Sequence, residues 1–244
     1  MSDFQQTKNT IKGNLDTVKA RVAEAALKSG RAVESVKIVT VTKKKSLEYL
    51  IAAYECGVRD FGENYAEEGL EKIIALERFQ DIRWHMIGHI QSRKARIVAK
   101  HFGFVHSVDS LKIAGLLNRA CEEVEKELPI LIEVNISGEA SKSGFPAWNR
   151  EQWPELVKTI NSIKCLKQLI PNGLMTMPPL FTDPEMTRVY YRKLLFLRNY
   201  LVSTLPDMNW HELSMGTSQD YQVAMEEGAT ILRIGEAILG PRSN

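Results

Sequence analysis

The feature that most restricts this fold is an alternation. Short runs rich in Val, Ile and Thr recur along the chain, each separated from the next by a segment of helical period. The strand-like runs are 36–42, 58–62, 83–88, 102–108, 129–136, 171–177, 209–215 and 230–235. A helix over 4–29 precedes them, with Ile11, Leu15, Val18 and Val22 on one face and Gly30 as its stop. Ser46 and Ser110 stand where N-caps are needed, and the last helix is expected over Thr217–Glu227. Strands that alternate with helices form a parallel sheet, and eight such units close most naturally into a barrel. The expected fold is therefore α/β, a single (β/α)8 barrel over residues 1–244, with residues 1–30 as an extra helix packed on it. An open doubly wound sheet would want a GxGxxG turn after an early strand, and the chain has none.

Length and composition agree with that shape. A chain of 244 residues suits one α/β barrel, and no Pro/Gly/Ser-rich linker divides it. The 32 basic and 30 acidic residues nearly cancel, so neither nucleic acid nor an acidic membrane is expected as a partner. No apolar run is long enough to span a bilayer, and the first residues carry no apolar signal core. Cys56, Cys121 and Cys165 are widely spaced and form no CxxC, which reads as reduced, mostly buried cysteines in a cytosolic protein.

In a barrel of this kind the reactive groups sit at the C-terminal ends of the strands. That rule selects Lys43, Asn64, His85, His89, Asp109, Asn135, Met175, Ser214 and Arg233. Lys43 ends the first strand. Desolvation there, with Lys44 and Lys45 adding like charge, would favour the neutral amine, a nucleophile towards an aldehyde. The same triplet also fits a solvated basic strand end. Ser214, Met215, Gly216, Thr217 and Ser218 form a small-residue loop ahead of a helix, and Arg233-Ile234-Gly235 ends the last strand. Paired loops after strands seven and eight are the recurrent phosphate site of barrels, although a simple Ser/Thr cap has the same sequence. Arg233 lies between apolar neighbours and needs a partner, either a carboxylate or a ring nitrogen acceptor. His85, His89, His106 and His211 could instead suggest a metallohydrolase, but HxH and HExxH are absent and no metal site is assigned.

Several longer segments point one way. VTVTKKKS (39–46), RDFGENYAEE (59–68), WHMIGHIQSRK (84–94), VNISGEASKSG (134–144), GLMTMPP (173–179) and ELSMGTSQDYQVAMEEGATILRIGEAILG (212–240) resemble the pyridoxal 5′-phosphate (PLP) homeostasis proteins, whose barrel is like the N-terminal domain of alanine racemase, fold type III among PLP-binding folds. The resemblance implies PLP as cofactor, held as a Schiff base on Lys43. It implies that the Ser214–Ser218 loop and Gly235 hold the phosphate and that Arg233 faces the pyridine nitrogen. Asn64, His85 and Met175 would line the site. It further implies a cytoplasmic monomer that acts in PLP supply and amino-acid/keto-acid balance, with PLP-dependent apoenzymes as candidate recipients.

Three motifs depart from the family's usual wording, at four positions: Lys44 and Ser46 in TKKKS, Arg93 in QSRK, and Thr217 in SMGTS. Thr217 adds a potential phosphate donor. The related racemases add a second domain with a tyrosine acid/base, which this chain is expected to lack. No residue is therefore assigned as catalytic, and no second acid/base is expected opposite Lys43. A slow racemase is the alternative.

Overall fold

The computed structural model describes residues 3–241, so residues 1, 2 and 242–244 of the expected span lie outside the described residues. Strands β1 (Lys37–Val41), β2 (Asp60–Glu63), β3 (Arg83–Met86), β4 (Phe104–Val108), β5 (Leu128–Asn135), β7 (Leu169–Met175), β8 (Glu212–Ser214) and β9 (Ile231–Ile234) pair in that order, all parallel, and β9 returns to β1. The sheet is a closed eight-strand barrel, as the alternation required. A two-residue strand, β6 (Phe145–Pro146), lies beside the end of β5 and has no counterpart in the sequence reading.

Helices α2 (Leu47–Glu55), α3 (Ala66–Ala75), α4 (Ala95–His101), α5 (Leu111–Glu122), α6 (Trp153–Lys164), α7 (Arg188–Thr204), α8 (Tyr221–Glu226) and α9 (Glu236–Leu239) surround the barrel. The extra helix, α1 (Asp3–Lys28), buries the predicted Ile11, Leu15, Val18 and Val22 together with Ala25 and Ala26. It packs on α2, α8 and α9, over the seam where the first and last strands meet. Asn14 donates to the Ile238 carbonyl at 3.0 Å and fastens that seam.

Several boundaries move for local reasons. The helix expected from Thr217 starts at Tyr221, because the Asp220 carboxylate accepts from Thr217 N at 2.7 Å and holds the intervening residues in a turn. Ser46 occupies the N-cap position of α2 without a side-chain bond, whereas Ser110 accepts from Ile113 N as expected. The seventh segment, 209–215, shortens to Glu212–Ser214, since Asn209 accepts from His211 N and turns the chain before the strand. Only Cys121 of the three free cysteines is buried; Cys165 is exposed.

The barrel interior carries two kinds of side chain. Val39, Leu131, Met175 and Ile231, with Phe104 beside them, form an apolar cluster of their own. They come from β1, β4, β5, β7 and β9, so they can meet only inside the ring. Strand parity then turns Glu133 and Arg233 inward too, two residues beyond Leu131 and Ile231. These two groups are held one layer higher, at the C-terminal mouth.

Candidate functional site

A cleft of about 510 Å³ opens at the C-terminal mouth of the barrel. Such a volume suits a small-molecule ligand. Of the residues singled out from sequence, Lys43, Asn64, His89, Met175, Thr217, Ser218, Arg233 and Gly235 line it.

Lys43 sits just past β1 in a turn pinned on both sides. Before it, Thr42 donates to Glu63 Oε1 at 2.5 Å, and the Thr42 carbonyl accepts from Lys72 Nζ at 2.6 Å. Lys72 also pairs with Glu63 at 2.7 Å, a fully buried carboxylate whose pKa burial raises against the pull of that ammonium. After it, Lys44 adopts a left-handed φ of 59° and its N–H donates to Glu68 Oε1. Lys45 also borders the cleft, but its ammonium is committed to the carbonyls of Leu239 and Pro241, at 2.9 and 2.6 Å. The strand has ended by then, so strand parity does not decide between the two lysines.

The opposite rim is the β8–α8 loop. Gly216 turns it at φ 90°, and a Cβ there would lie 2.5 Å from the Ala224 Cβ, so only glycine fits. Asp220 closes the loop from below: its carboxylate accepts from Thr217 N and Thr217 Oγ1, and from the buried Tyr191 hydroxyl at 2.5 Å. The donor that Thr217 seemed to add is thus already used. Ser218 Oγ accepts from Gly235 N and Ala237 N, both at 3.2 Å, which joins the loops after β8 and β9 at one corner of the cleft.

Arg233 forms the floor. It is 4% exposed, and its acceptors are Ser214 Oγ at 2.5 Å, the Thr176 carbonyl at 2.9 Å and Met177 Sδ at 2.8 Å, none of them a carboxylate. The structural ion pair considered from sequence is not what holds it. A guanidinium has five N–H donors, and these bonds leave Nε–H and one Nη1–H over. Asn64 adds a second unsatisfied atom, since its Oδ1 is buried with no hydrogen-bond partner. Such vacancies in polar bonding on a cleft wall mark a place for a ligand.

Four of the expected site residues lie off that wall. His85 and Ser214 are buried beneath it, within a chain of bonds that runs down the barrel. Met215 packs in the apolar layer between strands and helices. Gly216 shapes the loop rather than lining the cleft. Asn135 turns back to its own loop, accepting from Ser137 N and Gly138 N and donating to the Glu139 carbonyl. His89 bonds Asp109 at 2.7 Å, and no group of three metal-binding side chains occurs among the described residues.

The sequence reading missed Glu133 and Lys142, both on the cleft. Glu133 belongs to β5, which stands across the ring from β1 with three strands between them on either side. It therefore lies on the side of the mouth opposite the strand that leads into Lys43, a candidate acid that the sequence reading did not weigh. No hydrogen bond holds its carboxyl among the described residues. Burial, then the nearby Asp109 carboxylate, push its pKa up to about 7, against the pull of Arg233 and His89. The signal was present: a lone acid in the apolar run ILIEV, two residues from an inward Leu131.

Comparison with known proteins gives this geometry a family. The alanine racemase N-terminal domain matches residues 13–243. A pyridoxal phosphate homeostasis protein of Vibrio alginolyticus is 39% identical over 237 residues, covering 96% of this chain and 98% of that one. PipY of Synechococcus elongatus, solved with PLP bound, superposes with a TM-score of 0.75 at 30% identity, covering 90% of this chain and all of that one (100%). An alanine racemase of Clostridium difficile shares the fold, with a TM-score of 0.70 at 14% identity, and the match covers 94% of this chain and 59% of that one. By sequence and by fold together, this chain belongs to the pyridoxal phosphate homeostasis protein family.

Proposed function

We propose that this protein binds PLP in the mouth cleft through a Schiff-base link to Lys43 and acts in PLP homeostasis without efficient turnover of amino acids. The observation that carries this reading is Arg233: a buried cation with no hydrogen-bonded carboxylate among the described residues and with N–H donors left over on the wall of a cleft that also holds Lys43. The surroundings fit the cofactor's parts. The Ser218 and Gly235 corner suits a phosphate dianion. Arg233 suits the pyridine nitrogen, and Asn64 Oδ1 offers an acceptor. Met175 supplies an apolar contact on the wall.

Bound PLP supplies an aldehyde for amines and a ring that withdraws electrons best when its nitrogen is protonated. Arg233 can only donate, so it holds that nitrogen unprotonated and weakens the withdrawal. Lys43 retains the cofactor, while the joined loops keep the phosphate. In this reading the protein is a cytoplasmic monomer that holds PLP and passes it to PLP-dependent apoenzymes, and so contributes to amino-acid/keto-acid balance.

Glu133 favours a second reading, a slow racemase-like activity, because it sets an acid across from Lys43. One experiment separates the two. The PLP-loaded protein is incubated with L- and D-amino acids in deuterated water, and Cα deuterium is measured. Incorporation near background is expected. A rate in the usual enzymatic range, about 1–1000 per second, would refute the non-catalytic reading.

A further inference from the structure

A line of hydrogen bonds runs through the barrel from the cleft to its far end. Arg233 Nη1 donates to Ser214 Oγ at 2.5 Å. Ser214 Oγ lies 2.8 Å from His106 Nδ1, His106 Nε2 lies 3.0 Å from His85 Nδ1, and His85 Nε2 lies 2.9 Å from Asp60 Oδ1. Arg83 closes the lower end, bonding both oxygens of Asp60 at 2.8 and 2.6 Å. All of these groups except Arg83 are buried, and they come from β2, β3, β4, β8 and β9.

The chemistry of the two ends leaves a single direction for every proton. Arg233 has no acceptor, so Ser214 Oγ must accept from it. The serine's own proton then goes to His106 Nδ1. His106 therefore carries its proton on Nε2 and donates to His85 Nδ1. His85 likewise carries its proton on Nε2 and donates to Asp60. Burial opposes ionisation of Asp60, but Arg83 and His85 outweigh it and hold the carboxyl well below the usual range. Burial also pushes both imidazoles down, which favours their neutral forms. A terminal anion at the bottom and a terminal donor at the top thus order the whole column.

We infer that Ser214, His106, His85 and Asp60 are positioning residues for Arg233, a one-directional column that locks the guanidinium with its spare donors towards the cleft. The inference rests on the reading of Arg233 as the partner of the PLP ring nitrogen. The column gives that contact its fixed sense: no member below can turn a proton upward and draw the guanidinium down from the cleft floor. It also gives His85 and His106 a use apart from metal binding or contact with the ligand.

The test compares PLP with its carbocyclic analogue, in which C–H replaces the ring nitrogen, on the full chain. Wild type is expected to prefer PLP by at least about tenfold, the worth of one charge-assisted hydrogen bond. His106→Leu breaks the column, and the preference should fall to about threefold or less. His106→Gln can still accept from Ser214 and donate to His85, so it should restore the preference. A merely structural role would lower affinity for both ligands alike and leave their ratio unchanged, and that result overturns the inference. Two-bond 1H–15N spectra of the PLP-free wild type give a readout that needs no variant to fold. Both His85 and His106 should show protonated Nε2 and bare Nδ1 at neutral pH. A protonated Nδ1 at either residue overturns the column. Expected tautomers combined with a wild type that does not prefer PLP would refute the ring-nitrogen reading instead, and the column's purpose with it.

Discussion

Replacing Glu133 by glutamine should stabilise the PLP-free protein above neutral pH and leave it nearly unchanged in mild acid. Glu133 is 6% exposed and has no hydrogen-bonded partner among the described residues. Its pKa rises from the ordinary 4.5 to about 7 in the folded chain, through burial first and Asp109 second. Between those two values the folded state binds the proton and the unfolded state does not. Stability from this group is therefore lost as pH rises through that window, and the loss is complete above about pH 7. At about 1.4 kcal/mol per pH unit over roughly 2.5 pH units, the cost of ionising Glu133 is about 3 kcal/mol. Glutamine keeps the shape and removes the ionisation. Urea unfolding of both proteins at about pH 4.5 and pH 8 measures the difference. The variant should gain about 3 kcal/mol relative to wild type between the two conditions. An advantage that is absent at both pH values, or equal at both, refutes the reasoning.

Other outcomes follow from the same geometry. Ser218→Ala should weaken PLP by about tenfold and pyridoxal hardly at all, because only PLP carries the phosphate; equal weakening in a binding titration would remove the phosphate from this corner. Lys45→Ala should keep the visible absorbance of bound PLP and lose about 1–3 kcal/mol of stability with its two carbonyl contacts, whereas Lys43→Ala should lose the absorbance. Gly216→Ala should cost at least about 1–3 kcal/mol, since the new Cβ meets Ala224 and the backbone is left-handed; an unchanged urea midpoint would show that the loop adapts.

The barrel was legible in the sequence because its strands are buried on both faces and read as compact apolar runs, as in β5. Lys43 and Arg233 were legible by the same logic, as cations where such runs end. What the sequence hid were the partners. Nothing local tells that Ser214 turns under the cleft to meet Arg233 and His106, because those contacts join β8 to β9 and to β4. His85 looked like a cleft residue on its strand position alone, yet Asp60, at the start of the neighbouring strand, holds it below the mouth. Thr217 looked like a spare donor until Asp220, three residues on, took both its N–H and its hydroxyl. Glu133 was passed over for Asn135, whose side chain serves a sharp turn of its own loop.

The central claim is that Lys43 carries the cofactor. Its most direct measurement is reduction of the PLP-loaded protein with borohydride, followed by digestion and mass spectrometry of the modified peptide. The pyridoxyl group is expected on Lys43, in the turn pinned by Glu63, Lys72 and Glu68. Label on Lys45, or on any other lysine with Lys43 unmodified, contradicts it.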